Sequence, residues 1–270
     1  MAQKYEKGVK GPGTNEARQM GARVREANRR FFNRIAPEYA VINQRIFTET
    51  AAFTEDILKE LSGRSQGEAA LDLGCGTGNI SRRIARFFQR SYGVDISFNM
   101  LKEARGLSGR IAGDCLELPF KDNSFDLVCA YGTLHHIYDF GRLFFEAYRV
   151  LVPGGFFYID HEIDSQFIRH FKTAFKAYRF IYGMDKRYRA KDAGFDPEEF
   201  RLAEYHAYEG GGLDIDEVQE ILGQAGFSET RVFHHGYGAS SLTNRFMSLL
   251  GIRWLPRLVA PFFALVAKKE

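Results

Sequence analysis

The chain of 270 residues is long enough for one large domain or two small ones, and its 45% hydrophobic and 26% charged residues exclude a wholly disordered or collagen-like protein. The formal net charge is +3, and residues 1–50 alone carry ten Lys and Arg against five Asp and Glu. The basic excess therefore belongs to the N-terminal fifth and gives no reason to expect a nucleic-acid partner.

The three cysteines, Cys75, Cys115 and Cys129, form no CxxC pair, which predicts neither a disulfide framework nor a zinc site and fits a cytoplasmic location. No run of about 18 apolar residues occurs, so we expect no transmembrane segment. A peripheral contact between a basic helix face and a membrane stays open. Residues 1–20 lack an apolar core and are predicted to be a flexible tail.

Residues 22–61 have apolar side chains at three- and four-residue spacing, which predicts helices with a break at Pro37. Strand and helix patterns then alternate. We predict strands at residues 69–73, 92–96, 111–113, 125–131 and 156–163, and helices at 79–89, 97–107 and 140–151. The second of these helices should begin with Ser97 as its cap. Strands separated by helices of this length predict a parallel, doubly wound sheet.

The segment 163–208 interrupts this alternation and contains eleven aromatic residues. One helical stripe holds Phe167, Phe171, Phe175, Tyr178 and Tyr182, and the opposite stripe holds Arg169, Lys172, Lys176 and Arg179. This pattern predicts an amphipathic helix, which either packs as a lid on the sheet or lines part of an acceptor pocket.

Alternation resumes after this segment, with a helix predicted at 214–225 and ended by Gly226, a strand at 229–233, a helix at 241–252 and a final strand at 262–267. We therefore expect one domain over residues 21–270, with helical lid segments at about 21–62 and 163–209.

The sequence LDLGCGTG at residues 71–78 runs from a strand into a glycine turn. Such a turn lets backbone N–H groups approach a ligand closely. The spacing is G-x-G-x-G, whereas the dinucleotide fingerprint G-x-G-x-x-G would need glycine in place of Asn79. The glycines alone are therefore weak support for any one ligand.

Three acidic residues strengthen this prediction, because they end three successive predicted strands. Asp72 precedes the first glycine by two residues and would attract a cationic ligand amine. Asp95 is placed to reach a ribose diol, and Asp114 to accept a hydrogen bond from an adenine amino group. Each alone is as well explained as a turn or helix cap, but together they favour a nucleoside ligand with a cationic amine.

The segments LDLGCGTG, GVDIS, GDCLELPFKDNSFDLV and YRVLVPGGFFYI together resemble the class I S-adenosylmethionine-dependent methyltransferases. The resemblance is to the small-molecule branch that includes the quinone-biosynthesis enzymes, and it is good over about residues 31–162. Residues 31–39 are similar to the N-terminal helix of that branch, although Ala40 stands where Asp is common. The resemblance implies an α/β, Rossmann-like, doubly wound seven-stranded sheet whose last strand is antiparallel, with S-adenosylmethionine as cofactor.

The resemblance also implies a set of cofactor-binding residues. Asp72 would orient the amino group of the methionine part, Asp95 would hold the ribose hydroxyls, Asp114 would bind the adenine amine, and Ile96 and Met100 would pack on the adenine. Tyr131 would either approach the sulfonium or remain a core tyrosine. The full predicted set is Asp72, Gly74, Cys75, Gly76, Asp95, Ile96, Met100, Asp114, Cys115 and Tyr131.

Candidates for a general base follow the predicted parallel strands, because ligands bind at their carboxyl ends. His135 and His136 follow the fourth strand, and Asp160, His161 and Glu162 end the fifth. We predict His136 and His161 as catalytic residues, although the histidine pair can instead shape the pocket or start a helix. Strand alternation predicts Asp160 and Glu162 on one face and His161 on the other. No pair has a third partner at ligand spacing, so no metal site is predicted.

These features favour methyl transfer to an oxygen or carbon of a small apolar or aromatic acceptor. Three alternatives stay open: a methyltransferase acting on RNA or another macromolecule, an NAD-type oxidoreductase, and a noncatalytic cofactor-binding module. The G-x-G-x-G spacing and Asp72 disfavour the oxidoreductase. The sequence also lacks the Asn/Asp-Pro-Pro-Tyr/Phe turn of amino-group DNA methylation and the Pro-Cys nucleophile of pyrimidine carbon-5 chemistry.

Overall fold

The computed structural model describes residues 15–49, 51–171, 173, 188–189, 191–192, 194–208, 211–235 and 262–270. This part of the chain contains a seven-stranded sheet with the order β3–β2–β1–β4–β5–β7–β6. The strands are β1 Ala69–Leu73, β2 Arg90–Asp95, β3 Gly109–Ala112, β4 Phe125–Tyr131, β5 Leu151–Ile163, β6 Glu229–His235 and β7 Phe262–Lys268. Strands β1 to β5 pair in parallel, and β7 is antiparallel to β5 and β6. The predicted fold class is confirmed.

The described helices lie around this sheet. They are α1 Asn15–Glu49, α2 Ala51–Arg64, α3 Ser81–Ile84, α4 Phe98–Glu103, a 3₁₀-helix Leu134–His136, α5 Gly141–Val150, α6 Ser165–His170, α7 Pro197–Ala203, α8 Tyr205–Tyr208 and α9 Ile215–Ala225. Two predicted boundary signals are present as expected. Ser97 caps α4 by accepting a hydrogen bond from the Met100 N–H, and Gly226 ends α9 in the left-handed conformation.

Several predicted boundaries are wrong. Strand β5 begins at Leu151 instead of residue 156, and α4 ends at Glu103 instead of residue 107. Helix α1 continues through Pro37, which costs one backbone hydrogen bond without ending the helix. It begins at Asn15, so residues 15–20 of the predicted tail are helical. Helix α3 is much shorter than predicted, because from Arg83 onward several N–H groups bond the carbonyl three residues back, as in a tighter 3₁₀ turn.

Some predicted features lie outside the described residues. These are residues 1–14 of the tail, the helix at 241–252, Phe175, Tyr178 and Tyr182 of the aromatic stripe, and Lys172, Lys176 and Arg179 of the basic stripe. Of that stripe, Phe167 lies in α6 and Phe171 directly follows it, with rings 5.1 Å apart. Among the described residues, no helix is both long and apolar enough to cross a membrane.

The sheet is covered on both faces, as a parallel sheet requires. On one face, a buried cluster joins the strands to α5 and α9 through residues such as Phe144 and Leu222. On the other, α2 packs through Leu58 and Leu61. A third cluster, containing Phe31 and Phe200, joins α1 to α7. Helix α1 is thereby fixed beside the carboxyl ends of the strands.

Strand β5 is irregular where it carries the predicted acidic and histidine residues. Its pairing with β7 shifts between Ile159 and Glu162, and His161 has a φ of +62°. A bulge of this kind breaks the two-residue alternation of side chains. Asp160 bonds towards α2 and β6, whereas Glu162 bonds towards the 3₁₀-helix. The prediction that Asp160 and Glu162 share one face is therefore wrong.

Candidate cofactor and acceptor site

A cavity of about 1700 Å³ extends from the space between α1 and the carboxyl ends of the central strands, along α5, to Asn123 and Lys269. In its first part, α1 forms one wall, and the glycine turn and the strand ends form the other. Ten of the residues predicted from the sequence line this cavity: Gly74, Cys75, Gly76, Asp95, Ile96, Met100, Asp114, Cys115, Tyr131 and His136. Two predicted residues, Asp72 and His161, are not among its lining residues.

The glycine turn after β1 is held against β2 by its own backbone. The N–H groups of Gly74 and Cys75 both donate to the Val94 carbonyl, at 2.8 and 3.1 Å. Gly74 has a φ of +66°, and a Cβ there would lie 2.7 Å from the Thr133 side chain. Only glycine fits this position, so the turn can approach the cavity closely.

Asp95 fastens this turn to the end of β2. Its Oδ2 accepts a hydrogen bond from the Gly76 N–H at 2.8 Å, and its Oδ1 accepts one from the Ser97 N–H at 2.7 Å. Burial raises the pKa of Asp95 to about 6. Each carboxylate oxygen keeps a further lone pair, so Asp95 can also accept hydrogen bonds from ligand hydroxyls.

Asp72 lies beneath the turn instead of on the cavity wall. Its Oδ2 accepts a hydrogen bond from the Ser81 hydroxyl at 2.5 Å, while its Oδ1 is buried with no hydrogen-bond partner among the described residues. Burial, and secondarily the charge of Asp95, raises the pKa of Asp72 to about 7. An unpaired buried carboxylate oxygen is costly, and a cationic amine above the turn would relieve that cost. The site therefore fits a ligand with an ammonium group.

Asp114 connects the other end of the cavity to α1. Its Oδ1 accepts a hydrogen bond from the Leu116 N–H at 2.9 Å, and its Oδ2 lies 3.6 Å from Nη1 of Arg25. The neighbouring thiols of Cys75 and Cys115 are buried, which raises the pKa of both. They stay protonated at neutral pH and are poor nucleophiles.

The chain is similar to known methyltransferases along most of its length. A family described as "Methyltransferase domain" matches residues 71–159, from β1 into β5. A demethylmenaquinone methyltransferase of Geobacillus kaustophilus (strain HTA426) is 30% identical over 226 residues, which cover 79% of this chain and 93% of that protein. The chain belongs to the class I S-adenosylmethionine-dependent methyltransferases, in their quinone-biosynthesis branch. As a member of this family it uses S-adenosylmethionine as its cofactor, and the predicted NAD-type alternative is set aside.

Other relatives of the methyltransferase agree with this family. A 2-phytyl-1,4-naphtoquinone methyltransferase of Nostoc punctiforme is 35% identical over 135 residues, covering 46% of this chain and 59% of that protein. A solved S-adenosylmethionine-dependent methyltransferase of Thermotoga maritima shares the fold with a TM-score of 0.55 at 20% identity, over 90% of this chain and 99% of that one. A Haemonchus contortus phosphoethanolamine N-methyltransferase in complex with S-adenosyl-L-methionine has a TM-score of 0.51 at 20% identity, over 81% of this chain and 52% of that one.

Behind the cavity wall of the methyltransferase, His161 lies in an aromatic stack. Its ring is nearly parallel to the rings of Tyr131 and Phe262, with centroid distances of 5.4 and 4.4 Å. Burial lowers the pKa of His161 to about 3, so its imidazole is neutral. His161 therefore supports the ring of Tyr131 from behind and does not face the cavity.

Glu162 organises the loop that carries the histidine pair. This fully buried carboxylate accepts hydrogen bonds from the backbone N–H groups of Thr133, Leu134 and His135 at 2.8, 2.8 and 3.2 Å. It also contacts Nδ1 of the His135 ring at 2.8 Å. Glu162 thus satisfies the N–H groups at the start of the 3₁₀-helix and fixes the direction of the next side chains.

The two histidines differ in charge although they are adjacent. Burial alone would lower the pKa of His135, but the carboxylates of Glu162 and Glu204 outweigh it and raise the pKa to about 9. Burial and the charge of His135 hold the pKa of His136 well below its ordinary value. Nδ1 of His136 lies 2.7 Å from the Ala203 carbonyl, so the neutral ring donates there and keeps Nε2 as an acceptor. His136 lines the cavity in this form.

A third group accompanies the histidine pair, contrary to the sequence prediction. One ring nitrogen each of His135 and His136 and one carboxylate oxygen of Glu204 lie within 4.8 Å of one another. Glu204 is far away in the sequence and reaches the pair only through the fold. His135 also lies between two carboxylates, with Glu162 at 2.8 Å and Glu204 at 3.5 Å, so it forms ion pairs with both when its ring is protonated.

Helix α1 supplies site residues that the sequence analysis missed. Asn28 donates hydrogen bonds to the carbonyls of Val24 and His136, both at 2.9 Å, and so joins α1 to the 3₁₀-helix. Arg25, Asn28 and Tyr39 all line the cavity. Burial raises the pKa of Tyr39, and the nearby charges of Glu204 and Asp95 raise it further, so its hydroxyl stays protonated. Their spacing along α1 was the only signal in the sequence.

Proposed function

We propose that this methyltransferase transfers a methyl group to an oxygen or ring carbon of a small aromatic acceptor that carries an ionisable hydroxyl, as a reduced quinone does. The observation that carries the proposal is the neutral imidazole of His136 on the cavity wall, with Nε2 available as an acceptor. The names of the two quinone methyltransferase relatives support the same acceptor class. Replacing hydrogen by methyl releases one proton, and a neutral histidine is suited to accept it.

The described residues support a specific arrangement of the cofactor. Asp95 would accept hydrogen bonds from the ribose hydroxyls, Asp114 and the Cys115 N–H would bind the adenine, and Ile96 and Met100 would pack on it. Asp72 would neutralise the amino group from beneath Gly74 and Gly76. When bound, S-adenosylmethionine supplies an electrophilic methyl group on a cationic sulfur.

The protein's own part in the reaction is to position the reactants and exclude water. The face of Tyr131 would meet the positive sulfur, with His161 holding that ring in place from behind. His161, predicted from the sequence as a base, is therefore proposed as a positioning residue. Nε2 of His136 would accept the hydroxyl proton of the acceptor.

Segments 21–62 and 163–209 are proposed to act as lids over this site. Arg34 of α1 forms ion pairs with two residues of the second segment, Asp192 at 2.9 Å and Glu199 of α7 at 2.5 Å. A lid of two linked segments would keep water from the reacting groups. The free, buried cysteines support a reducing, cytoplasmic setting, from which the protein would meet an apolar acceptor at a membrane surface.

The proposal is tested with a panel of acceptors and a measurement of S-adenosylhomocysteine release. The panel pairs a reduced naphthoquinone with the same compound after both hydroxyls are blocked as ethers, and adds an RNA sample. We expect release only with the free hydroxyl compound. Release with RNA, or equal release with the blocked compound, would contradict the proposed acceptor class.

A further inference from the structure

We propose that Glu204, at the junction of α7 and α8, is a positioning residue that acts together with Glu162 to hold His135 as a fixed cation beside His136. The contacts of these four residues carry the proposal. The inference rests on the proposed function only in one point, the assignment of His136 as the base. In this arrangement one lid segment completes the site by supplying a carboxylate and a carbonyl to adjacent histidines.

The contact between Glu162 and His135 fixes the orientation of the His135 ring. Glu162 is fully buried, and its two oxygens are occupied by three backbone N–H groups and by Nδ1 of His135. The His135 ring therefore has one orientation, with Nε2 directed away from β5. That nitrogen lies 3.5 Å from Oε2 of Glu204. The imidazole of His135 thus lies between two carboxylates from different parts of the chain.

The other partners of the two histidines come from α7, α8 and the residue between them. Glu204 is 2% exposed, and its N–H donates to the Phe200 carbonyl at 2.9 Å, which ends α7. The preceding carbonyl, of Ala203, lies 2.7 Å from Nδ1 of His136. Nε2 of His206 in α8 lies 3.4 Å from the Tyr138 carbonyl. Three successive contacts therefore join this lid segment to the 3₁₀-helix and the residues that follow it.

The charges explain why two adjacent histidines need these partners. Two buried carboxylates without a cation between them would be strongly unfavourable, so His135 keeps its proton. The ring centroids of His135 and His136 are 4.0 Å apart, and a second positive charge at that distance is disfavoured. His136 then stays neutral and retains its acceptor nitrogen. The other titratable groups that act on His135 or respond to it are His161 in β5 and His206 in α8.

A divalent metal ion is the competing occupant, because the same three side chains lie within 4.8 Å. It would need Nε2 of His135 without its proton. Carboxylate and carbonyl partners on the Nδ1 atoms are also typical of metal-bound histidines. The contacts alone fit both occupants, so the experiment has to separate a proton from a metal.

The decisive experiment is a titration of the histidine ring signals by NMR, with each histidine assigned by substitution. Glu204→Gln removes the charge and keeps the shape, and Glu198→Gln is the matched control, because Glu198 is an exposed residue of the same helix. We expect His135 to titrate well above neutral pH in the wild type and in Glu198→Gln. In Glu204→Gln we expect its midpoint to fall by about one pH unit or more.

Activity supplies the second readout. Glu204→Gln should lower kcat and move the acidic limb of the kcat profile to higher pH, because a less charged His135 lets His136 take up a proton more readily. The Kd for S-adenosylhomocysteine should match that of Glu198→Gln. If the midpoint of His135 moves as expected but no acceptor is methylated, the positioning inference stands and the proposed function fails.

Two results would overturn the inference. One is a His135 midpoint near 6.5 that Glu204→Gln does not change. The other is stoichiometric zinc in the purified wild type, lost in Glu204→Gln, with activity removed by a chelator and restored by Zn²⁺. Glu162→Gln adds an independent check. It keeps one acceptor oxygen for the N–H groups of the loop and removes the second carboxylate charge that acts on His135.

Discussion

The imidazole of His161 stacks on the phenol ring of Tyr131 with the two planes only 6° apart and the ring centroids separated by 5.4 Å. Tyr131 lines the cavity, whereas His161 does not, and the His161 ring also stacks on Phe262. We propose that His161, at the irregular part of β5, supports the cavity wall through its contact with Tyr131.

Two substitutions of His161 test whether its ring supports Tyr131 or its imidazole transfers a proton. We expect His161→Phe to retain most of kcat, because a phenyl ring can keep the stack and lacks the buried, unpaired Nδ1. His161→Ala removes the ring and should lower kcat by about tenfold or more, since small displacements of reacting groups are costly. Steady-state kinetics of the two variants checks this. Equal inactivation of both would indicate that the imidazole itself takes part in the chemistry.

A pair of glycine substitutions tests the turn after β1. Gly74 and Gly154 both have positive φ, but a Cβ on Gly74 would meet Thr133 at 2.7 Å whereas nothing lies within 4 Å of one on Gly154. We expect Gly154→Ala to cost about 1–2 kcal/mol of stability and leave cofactor binding intact. Gly74→Ala should also weaken binding strongly. Thermal unfolding and calorimetry with S-adenosylhomocysteine provide the measurements, and unchanged affinity in Gly74→Ala would count against the turn as the binding site.

Cofactor affinity should depend on pH through Asp72 and Asp95, whose pKa values burial raises to about 7 and about 6. Both must be ionised to bind the amino and hydroxyl groups. The Kd for S-adenosylhomocysteine should therefore rise as the pH falls below 7, by up to about tenfold per pH unit for each group. Calorimetry between pH 8 and pH 5.5 measures this. A Kd that is flat over that range would remove both carboxylates from the proposed arrangement.

The raised pKa of Asp72 also predicts that the cofactor-free protein is less stable at higher pH, although cofactor binding is stronger there. A raised pKa means that the folded state binds the proton of Asp72 more tightly than the unfolded chain does, so this group's contribution to stability is lost as the pH rises from about 4 to 7. Asp72→Asn should raise the melting temperature of the cofactor-free protein at pH 8 and weaken S-adenosylhomocysteine binding. Asp126→Asn is a control at a buried carboxylate away from the turn, which accepts hydrogen bonds from the Glu68 and Ala69 N–H groups; it should not raise stability.

One aromatic ring of α1 lies at the centre of its apolar contact with α7. Phe31 is fully buried, and its ring centroid lies 5.1–5.2 Å from those of Phe32, Tyr188 and Phe200. Phe31→Ala should cost about 3–5 kcal/mol of unfolding free energy, and Phe31→Leu less. We also expect a higher KM for the acceptor in Phe31→Leu, because α1 and α7 are its proposed lids. Urea unfolding and kinetics of the two variants give both quantities.

The sequence was sufficient for the parts of the fold that depend on local patterns. Strand β4 falls at the predicted residues, and the Ser97 cap and the Gly226 stop lie where expected, because each depends on a few neighbouring residues. Most of the predicted cofactor residues line one cavity, because parallel strands bring their carboxyl ends to the same edge.

The rest depends on tertiary contacts that no local pattern contains. The bulge at His161 separates Asp160 from Glu162, and a reading that assumes regular alternation misses it. Glu204 lies 3.5 Å from His135 although 67 positions separate Ala203 from the adjacent His136 in the sequence, so no local pattern predicts the contact. The contact between Asp72 and Ser81 likewise joins β1 to α3 across the glycine turn.

The most direct test of the account is the mass of the acceptor after incubation with S-adenosylmethionine carrying a trideuterated methyl group. We predict that a reduced naphthoquinone with a free hydroxyl gains one labelled methyl group with the wild-type protein. His136→Ala should form this product far more slowly while binding S-adenosylhomocysteine with unchanged affinity. If the wild-type protein binds the cofactor but leaves this acceptor unlabelled, the proposed acceptor is contradicted. If His136→Ala methylates it at the wild-type rate, the proposed base is contradicted.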